Sequence, residues 1–598
     1  MSRPVLAVVG AGPRGTGLLE RLAANADLLD GRGCEVHVVD PRAPGAGHVW
    51  RAAQSPLLLM NSRAGEVTMF TDGSVDCAGP VRPGPTLAEW AAVARPADPE
   101  LAAEAAGLTP SSFATRRLAG EYLRWCFDRA VAALPDDVRV VVHPAAAVGL
   151  ADGERQRLTL SDGTQLDADI VLLAQGNPGG HRTPEQAAHQ AFAAGIGGVY
   201  IPPACPGDED LDRLPAGEPV IVSGLGLAFV DLVVLLTEGR GGKFVEDVDG
   251  VLRYEPSGHE PVLHAGSRRG VPYLPKPTVP ARRHDGPRFF TPDFVVETLR
   301  TTERAQGVLV VEACRELVWA HYRELLATHP ERVRMDADEF AAAFAAVPVT
   351  NPGLQALVEQ VVPDPDDRPD LSFLRSPLTG QAFADQSDLD GWLCDRLSTT
   401  VHRATAPRHS AHAAVLHGLA DVSGVLEQLI GAADRDLRAQ VLRLSARISR
   451  FGAFLGSGPP PHRLAQLRAL VEAGGLHFLG ADLVVAADGD AFTARTASLP
   501  EPVRARHLVE ARLPDPDARS GIDPLLAGIA AGRAQVPVTP DTFQVLDEAG
   551  RPHPRRLAMG LFAGSGALGS FSRPGTNAPF FQQNDATARR LLHQLARC

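Results

Sequence analysis

The sequence lacks several features that would place it in other classes of protein. No apolar run approaches the roughly 20 residues that a membrane-spanning helix needs. The first predicted strand begins at Val5, which leaves no room for a signal peptide before it. The formal net charge is −13, and no basic patch stands out, which argues against a nucleic-acid partner. We therefore expect a cytoplasmic protein with neither nucleic-acid nor membrane partners.

Metal and thiol chemistry also find little support in the sequence. The seven cysteines are scattered, without a C-x-x-C pair or a cluster with zinc-ligand spacing. His48, His264 and His402 show no metal-ligand spacing, and a zinc site in the Ala-rich helical stretch with His402, His409, His412 and His417 is the less favoured interpretation. We expect no metal site, no disulfide framework and no redox-active dithiol.

Two glycine-rich turns, each after a buried-strand pattern, are the most informative features that are present. The first strand, residues 5–9, leads into the sequence GAGPRG. Glycines there let a diphosphate approach the backbone at the positive end of the next helix. A second strand ends in a carboxylate that can accept hydrogen bonds from ribose hydroxyls. The pattern predicts a dinucleotide site at Gly10, Gly12, Gly15 and Asp40.

The second turn is less complete than the first. Strand 219–223 leads into Gly-Leu-Gly-Leu, but Phe229 occupies the position of the third glycine. A later strand, 261–265, is followed by two arginines, where NADP-binding units place an arginine for the 2′-phosphate. A solvated basic turn is the alternative. The residues predicted to bind NADPH are Gly224, Gly226, Leu227, Ser267, Arg268 and Arg269.

Lys276 comes shortly after these arginines and is one of only two lysines in the chain. It could contact a phosphate or a substrate, or it could be an ordinary surface lysine. The sequence does not decide between these interpretations.

Several segments resemble the two-dinucleotide flavoproteins, in which an NADPH domain is inserted into an FAD domain. They are GAGHVW at 45–50, LLMN at 58–61, GPT at 84–86, RLAGEYL at 117–123, VSGLGL at 222–227 and SRRG at 267–270. The group includes the lysine and ornithine N-hydroxylases. In length and layout the chain is most similar to the enzymes that N-oxidise L-aspartate to nitrosuccinate.

This resemblance implies roles for further residues. The first turn and Asp40 would hold FAD, and Trp50 and Asn61 would lie near the flavin. Gln175 and Gly176 would stand where the family commonly has Thr-Gly. The C-terminal Gly566 and Asp585 would close over the flavin, the diphosphate or the substrate.

The predicted fold is α/β, with an FAD-binding Rossmann-like domain, an inserted NADPH-binding Rossmann-like domain and a largely helical insertion. We expect the FAD domain at 1–216, the NADPH unit at 217–289 and the helical insertion at 290–465, with a return to the FAD domain at 466–598. Amphipathic patterns at 312–327, 339–346, 411–429 and 437–448 predict the insertion's helices. The insertion would cover the site and exclude water.

The predicted activity is that of an FAD- and NADPH-dependent N-monooxygenase, which uses O2 to oxidise a small amino acid, with L-aspartate as the expected substrate. Bidentate arginines would bind the carboxylates of such a substrate. Two alternatives stay open. One is another flavin oxidoreductase, either an amine dehydrogenase or a carbonyl-oxidising monooxygenase. The other is a non-catalytic nucleotide-binding protein, which Phe229 in the second turn favours.

Overall fold

The computed structural model of the chain describes residues 3–177, 179–180, 182–282, 286–348, 351–369, 377–378, 380–432, 434–520, 522–564 and 569–598. These residues form two compact units. The first unit comprises Met1–Thr183 and Leu513–Cys598, and the second comprises Pro184–Arg512.

The first unit is built on a mostly parallel sheet. Numbered in chain order, its strands are β1 (Val5–Val9), β2 (Cys34–Val39), β3 (Val138–His143), β4 (Ala147–Ala151), β5 (Gln156–Leu160), β6 (Gln165–Ala168), β7 (Ile170–Leu173), β18 (Gln544–Leu546) and β19 (Pro552–Ala558). Its helices are α1 (Pro13–Ala24), α2 (Leu87–Val93), α3 (Pro99–Gly107), α4 (Arg116–Ala132), α15 (Pro524–Ala530) and α16 (Pro579–Leu595).

The main sheet of this unit has the strand order β18-β19-β7-β1-β2-β3. All its neighbouring strands are parallel except β18 and β19. The central strand β1 is buried along its whole length, as expected for a parallel strand covered on both faces. Strands β4, β5 and β6 form a separate antiparallel sheet.

The second unit contains the other strands and most of the helices. Its strands are β8 (Tyr200–Ile201), β9 (Pro219–Ser223), β10 (Lys243–Glu246), β11 (Leu252–Glu255), β12 (Val262–Gly266), β13 (Leu476–Gly480), β14 (Val484–Asp488), β15 (Ala491–Arg495), β16 (Val503–Ala505) and β17 (His507–Glu510). Its helices are α5 (Pro184–Gly195), α6 (Leu227–Leu236), α7 (Pro292–Thr301), α8 (Ala305–Thr328), α9 (Ala337–Ala346), α10 (Pro352–Val361), α11 (Gln386–Thr405), α12 (Ala411–Ala432), α13 (Arg435–Gly456) and α14 (Pro461–Glu472). Its main sheet is parallel, with the order β13-β12-β9-β17-β8.

The α/β fold class is confirmed, but the units divide at positions other than those expected. Strands β13 and β17 pair with β12 and β9, so the chain completes the second sheet before it returns to the first unit after residue 512. The chain therefore returns to the first unit after residue 512, later than the expected position 466. The two-residue strand β8 also extends the second sheet upstream of the expected start at 217.

The helical segment shares a core with the second sheet. One apolar cluster contains Val220 and Leu263 of the sheet together with Leu309, Val422 and Val441 of helices α8, α12 and α13. Burial against the sheet therefore stabilises these helices. The segment 290–465 is part of the second unit and is not a separate cover.

Among the described residues, one helical span, Pro407–Ile430, is long and apolar enough to cross a membrane by length and composition. Its Val415, Val422 and Leu426 belong to the core cluster of the second unit. A buried core helix passes the same test, so the span is explained by packing.

Three histidines lie together within the second unit. The rings of His321 and His412 have centroids 4.9 Å apart, and those of His409 and His412 are 5.6 Å apart. His321 Nε2 lies 2.9 Å from the carbonyl oxygen of Asp367, to which it donates. Burial lowers the pKa of His321 and of His409 to about 4, and it also holds the pKa of His412 well below 6.5. These imidazoles are therefore neutral at pH 7.

Acid should destabilise the second unit. The pKa of His321 falls from 6.5 to about 4 on folding, so its stabilising effect is present above pH 6.5 and is lost as the pH falls towards 4. One such group changes the free energy of unfolding by about 1.4 kcal/mol per pH unit in that window. We expect His321→Gln to flatten the fall in thermal midpoint between about pH 7 and pH 5. The exposed control His259→Gln should keep the wild-type slope, and an unchanged slope in His321→Gln would contradict this account.

Candidate functional site

The first glycine turn connects β1 to α1 with very close backbone contacts. Gly10 has a φ of +104°, and a Cβ added there would lie 2.6 Å from the carbonyl oxygen of Ala174 at the end of β7. A Cβ at Gly15 would lie 2.2 Å from the carbonyl oxygen of Gly10. Gly12 is the N-cap of α1, and no side-chain hydrogen bond caps the helix there. The turn therefore has the form of a diphosphate cradle at a helix N-terminus.

Asp40 lies directly against this turn, at the end of β2. Its Oδ2 accepts a hydrogen bond from the amide of Ala11 at 2.8 Å, and its Oδ1 accepts one from the amide of Arg42 at 2.9 Å. A carboxylate offers about four lone-pair positions, so Asp40 can still accept hydrogen bonds from ribose hydroxyls. Its position agrees with the predicted role, which stays a prediction.

Trp50 and Asn61 are both partly buried in the first unit. The ring of Trp50 packs edge-on against Phe571, with the centroids 5.5 Å apart. A Cβ added at Gly120 would lie only 1.9 Å from the carbonyl oxygen of Trp50. These contacts fix the position of Trp50, and the predicted closeness of both residues to the flavin stays untested.

Gln175 and Gly176 follow β7 and adjoin the first turn, since a Cβ on Gly10 would lie 2.9 Å from the amide nitrogen of Gln175. The side-chain amide of Gln175 donates to Asp523 Oδ2 at 2.6 Å. Its Oε1 is buried, without a hydrogen-bond partner in the described part of the chain. Burial raises the pKa of Asp523, the N-cap of α15. Sequence reasoning missed Asp523 because it is 348 positions from Gln175.

Asp585 makes structural hydrogen bonds inside the first unit, and its predicted contact with cofactor or substrate stays a prediction. It lies on α16 and is 1 % exposed. Its Oδ1 accepts hydrogen bonds from Arg21 at 2.7 Å and from Asn25 at 2.9 Å, and its Oδ2 accepts one from the amide of Gly79 at 3.0 Å. Both oxygens are thus engaged inside the protein. The other C-terminal candidate, Gly566, lies outside the described residues.

Arg14, in the first turn of α1, is a further residue that sequence reasoning missed. Its guanidinium donates to Asn584 Oδ1 at 3.3 Å and to the carbonyl oxygen of Gly569 at 3.0 Å. Its Cζ also lies 5.0 Å from the ring centroid of Phe580. Burial lowers the pKa of Arg14 to about 10. Arg14 therefore ties the C-terminal segment to the first glycine turn.

The second turn, between β9 and α6, repeats the geometry of the first. Gly224 has a φ of +122°, and a Cβ there would lie 2.6 Å from the carbonyl oxygen of Ala511. Gly226 is the N-cap of α6, again without a side-chain cap, and Leu227 is the first residue of that helix. Phe229 is 0 % exposed and points into the core, with its ring 6.4 Å from that of Phe478. The missing third glycine therefore does not obstruct this turn.

Ser267, Arg268 and Arg269 follow β12, beside the second turn. The amide of Gly224 donates to the carbonyl oxygen of Gly266 at 2.8 Å, which joins the two strand ends. Ser267 Oγ accepts a hydrogen bond from the amide of Gly270 at 3.0 Å. Arg268 is exposed, whereas Arg269 is partly buried, and burial lowers its pKa. The cations thus lie where the sequence predicts 2′-phosphate recognition, and their role stays a prediction.

Two remaining candidates can be judged from the structure. Lys276 is 6 % exposed, so the interpretation as a surface lysine is wrong. Within the ranges that the structure describes, no group of three or more His, Cys, Asp or Glu side chains could hold a metal ion.

The fold and the two turns define a protein with two dinucleotide-binding units. Residues 7–178 match the FAD-NAD(P)-binding family, which agrees with the first turn and Asp40. Curated relatives extend the similarity to the whole chain. An L-aspartate N-monooxygenase (nitrosuccinate-forming) of Streptomyces davaonensis is 37 % identical, over 98 % of this chain and 96 % of the relative. The chain belongs to the family of nitrosuccinate-forming L-aspartate N-monooxygenases.

Two further relatives agree with this assignment. An L-aspartate N-monooxygenase (nitrosuccinate-forming) of Streptomyces cremeus is 38 % identical, over 98 % of this chain and 94 % of the relative. A nitrosuccinic acid synthase of Aspergillus oryzae is 34 % identical, over 98 % of this chain and 92 % of the relative.

Gly15→Ala should weaken FAD binding. The new Cβ would meet the carbonyl oxygen of Gly10, so the turn must shift. We expect roughly tenfold weaker binding or more, measured as flavin absorbance per chain after dialysis. Gly107→Ala is the matched control, because a Cβ there meets open space. Full flavin retention in Gly15→Ala would contradict the prediction that this turn binds the diphosphate of FAD.

Asp585→Asn should destabilise the first unit without a specific effect on FAD. The change removes the carboxylate 2.7 Å from the buried Arg21 guanidinium and leaves it with the more distant carboxylate of Glu20, at 3.5 Å, at a cost of about 3 kcal/mol. A lower unfolding midpoint in urea would show this. Asp167→Asn, in an exposed pair with Arg157, should leave the midpoint unchanged. Weaker FAD binding at an unchanged unfolding midpoint would instead support the predicted contact of Asp585 with the cofactor.

Proposed function

We propose that this protein is an FAD- and NADPH-dependent N-monooxygenase that oxidises the amine of L-aspartate, through hydroxylamine and nitroso stages, to nitrosuccinate. The similarity to L-aspartate N-monooxygenases over 98 % of the chain is the observation that carries the proposal. The presence of both glycine turns, in separate units, supports it.

The residues of the first unit fit FAD. The backbone at Gly10 and Gly15 leaves no space for a Cβ, and Gly12 is the N-cap of α1, so a diphosphate can lie against the N-terminus of that helix. Asp40 can receive the ribose hydroxyls. Reduced FAD supplies the activation of O2, while these residues bind and orient the cofactor.

The residues of the second unit fit NADPH. Gly224 and Gly226 form the second cradle, and Arg268 and Arg269 offer cations for the 2′-phosphate. NADPH then serves as the electron donor for FAD. In the first oxidation, one NADPH and one O2 are consumed. One oxygen atom goes to the amine nitrogen and the other leaves as water.

The alternative of a non-catalytic nucleotide-binding protein loses its support. It depended on Phe229, which would weaken the second site. Because Phe229 is buried in the core and the turn before it keeps the geometry of a nucleotide cradle, that argument no longer applies.

The substrate imposes two chemical requirements on the site. The amine must be deprotonated to act as a nucleophile, so the site must bind the neutral amine and exclude water. The two carboxylates of L-aspartate require cationic donors, for which arginine is the natural choice. A cytoplasmic location, where NADPH and amino acids are available, is part of the proposal.

Purified protein should oxidise NADPH faster with L-aspartate than with other amino acids. The experiment combines a panel of amino acids, NADPH absorbance and mass analysis of the products. L-Asparagine and L-glutamate are matched controls, since each changes one side-chain feature of L-aspartate. The appearance of nitrosuccinate with L-aspartate is the expected result. Hydrogen peroxide as the sole product across the panel would refute N-oxygenation.

A further inference from the structure

The end of helix α13 is hydrogen-bonded to the segment that follows Arg268 and Arg269. The amide of Leu274 donates to the carbonyl oxygen of Phe454 at 3.0 Å, and the amide of Lys276 donates to that of Pro459 at 3.0 Å. At Gly458, a Cβ would lie only 1.7 Å from the carbonyl oxygen of Leu274. The helical segment is therefore fixed by its backbone to the neighbourhood of the nucleotide turn, within the second unit.

A continuous stack of side chains connects Gly226 to Arg269. A Cβ on Gly226 would lie 3.4 Å from Cζ of Tyr273, so the tyrosine ring lies against the turn. The rings of Tyr273 and Phe454 meet edge to face, with the centroids 6.1 Å apart. The Arg269 Cζ lies 4.1 Å from the centroid of Phe454. Phe454 is 0 % exposed, so the ring provides a rigid platform.

We propose that Phe454 is a positioning residue that makes the second site select NADPH over NADH, because it holds the Arg269 guanidinium ready for the 2′-phosphate. This inference rests on the proposed NADPH site. Stacking on a ring uses the flat face of a guanidinium, while its N–H donors, which recognise phosphate, lie at the edge of that plane. A side chain that is already held in place loses less conformational entropy when the ligand binds.

The burial of Arg269 supports a role toward an anion. Partial burial of a guanidinium costs free energy, and an apolar residue on Phe454 would avoid that cost. Burial lowers the pKa of Arg269, which is the sign of this cost. Tyr273 partly opposes this shift, and the neighbouring Arg268 adds to it. A phosphate dianion beside both arginines would add to the interactions that Arg269 already makes. Arg268 is exposed, so it contributes mainly long-range attraction, which salt screens.

The test is the affinity of the purified, FAD-loaded full chain for NADP+ and for NAD+, measured by calorimetry. Phe454→Leu keeps an apolar side chain but removes the ring. We expect it to weaken NADP+ binding roughly three- to tenfold and to leave NAD+ binding unchanged. Phe454→Tyr restores a ring and should keep the wild-type preference.

Phe289→Leu is the matched control. Phe289 also carries an arginine on its ring, with the Arg315 Cζ 4.3 Å from the centroid, but it belongs to another apolar cluster. Its loss should leave the ratio of the two affinities unchanged. An equal loss of both affinities in Phe454→Leu would reduce Phe454 to a packing residue and overturn the inference.

The arginines provide a second test, which does not depend on the folding of the Phe454 variant. Arg269→Ala should weaken NADP+ binding roughly 10- to 100-fold, and Arg268→Ala should weaken it less. A larger loss in Arg268→Ala would overturn the division of roles. If the wild-type protein binds NADP+ no better than NAD+, the proposed NADPH site itself fails, which is a separate outcome.

Discussion

The close approach of backbone to backbone at the two glycine turns is the constraint on which the rest of the structure depends. At Gly10 and Gly224 an added Cβ would lie 2.6 Å from a carbonyl oxygen of a neighbouring strand or its extension. The contacting residues, Ala174 and Ala511, are far from the turns in sequence. Each cradle thus forms only when its sheet is assembled, and the helix N-terminus that follows is then presented to a ligand.

Buried charged side chains join α1, the helix that follows the first glycine turn, to the C-terminal segment. Arg21 and Asp585 form an ion pair with side chains that are 1 % and 2 % exposed, and this pair links α1 to α16. Arg14 adds hydrogen bonds from the same helix to the C-terminal segment. Such buried charges are tolerated only when hydrogen bonds compensate them. The C-terminal segment is therefore structurally essential to the first cradle.

In the second unit, apolar and cation–π contacts support the glycine turn. Its helices share the core of the parallel sheet, and α13 brings Phe454 to the arginines after β12. The helical segment is therefore packed beside the second glycine turn, within the same unit.

The sequence by itself determined the two strand–glycine–helix units. It also determined that Asp40 lies beside the first turn and that Arg268 and Arg269 follow a strand of the second unit. These signals are local, because the backbone conformation and the helix N-terminus depend on a few adjacent residues. Only the tertiary structure decided that β13 and β17 belong to the second sheet, that Asp585 pairs with Arg21 and that Arg269 lies over the ring of Phe454. Strand pairing, burial and side-chain stacking join residues that are tens to hundreds of positions apart, and no local pattern specifies which partners will meet.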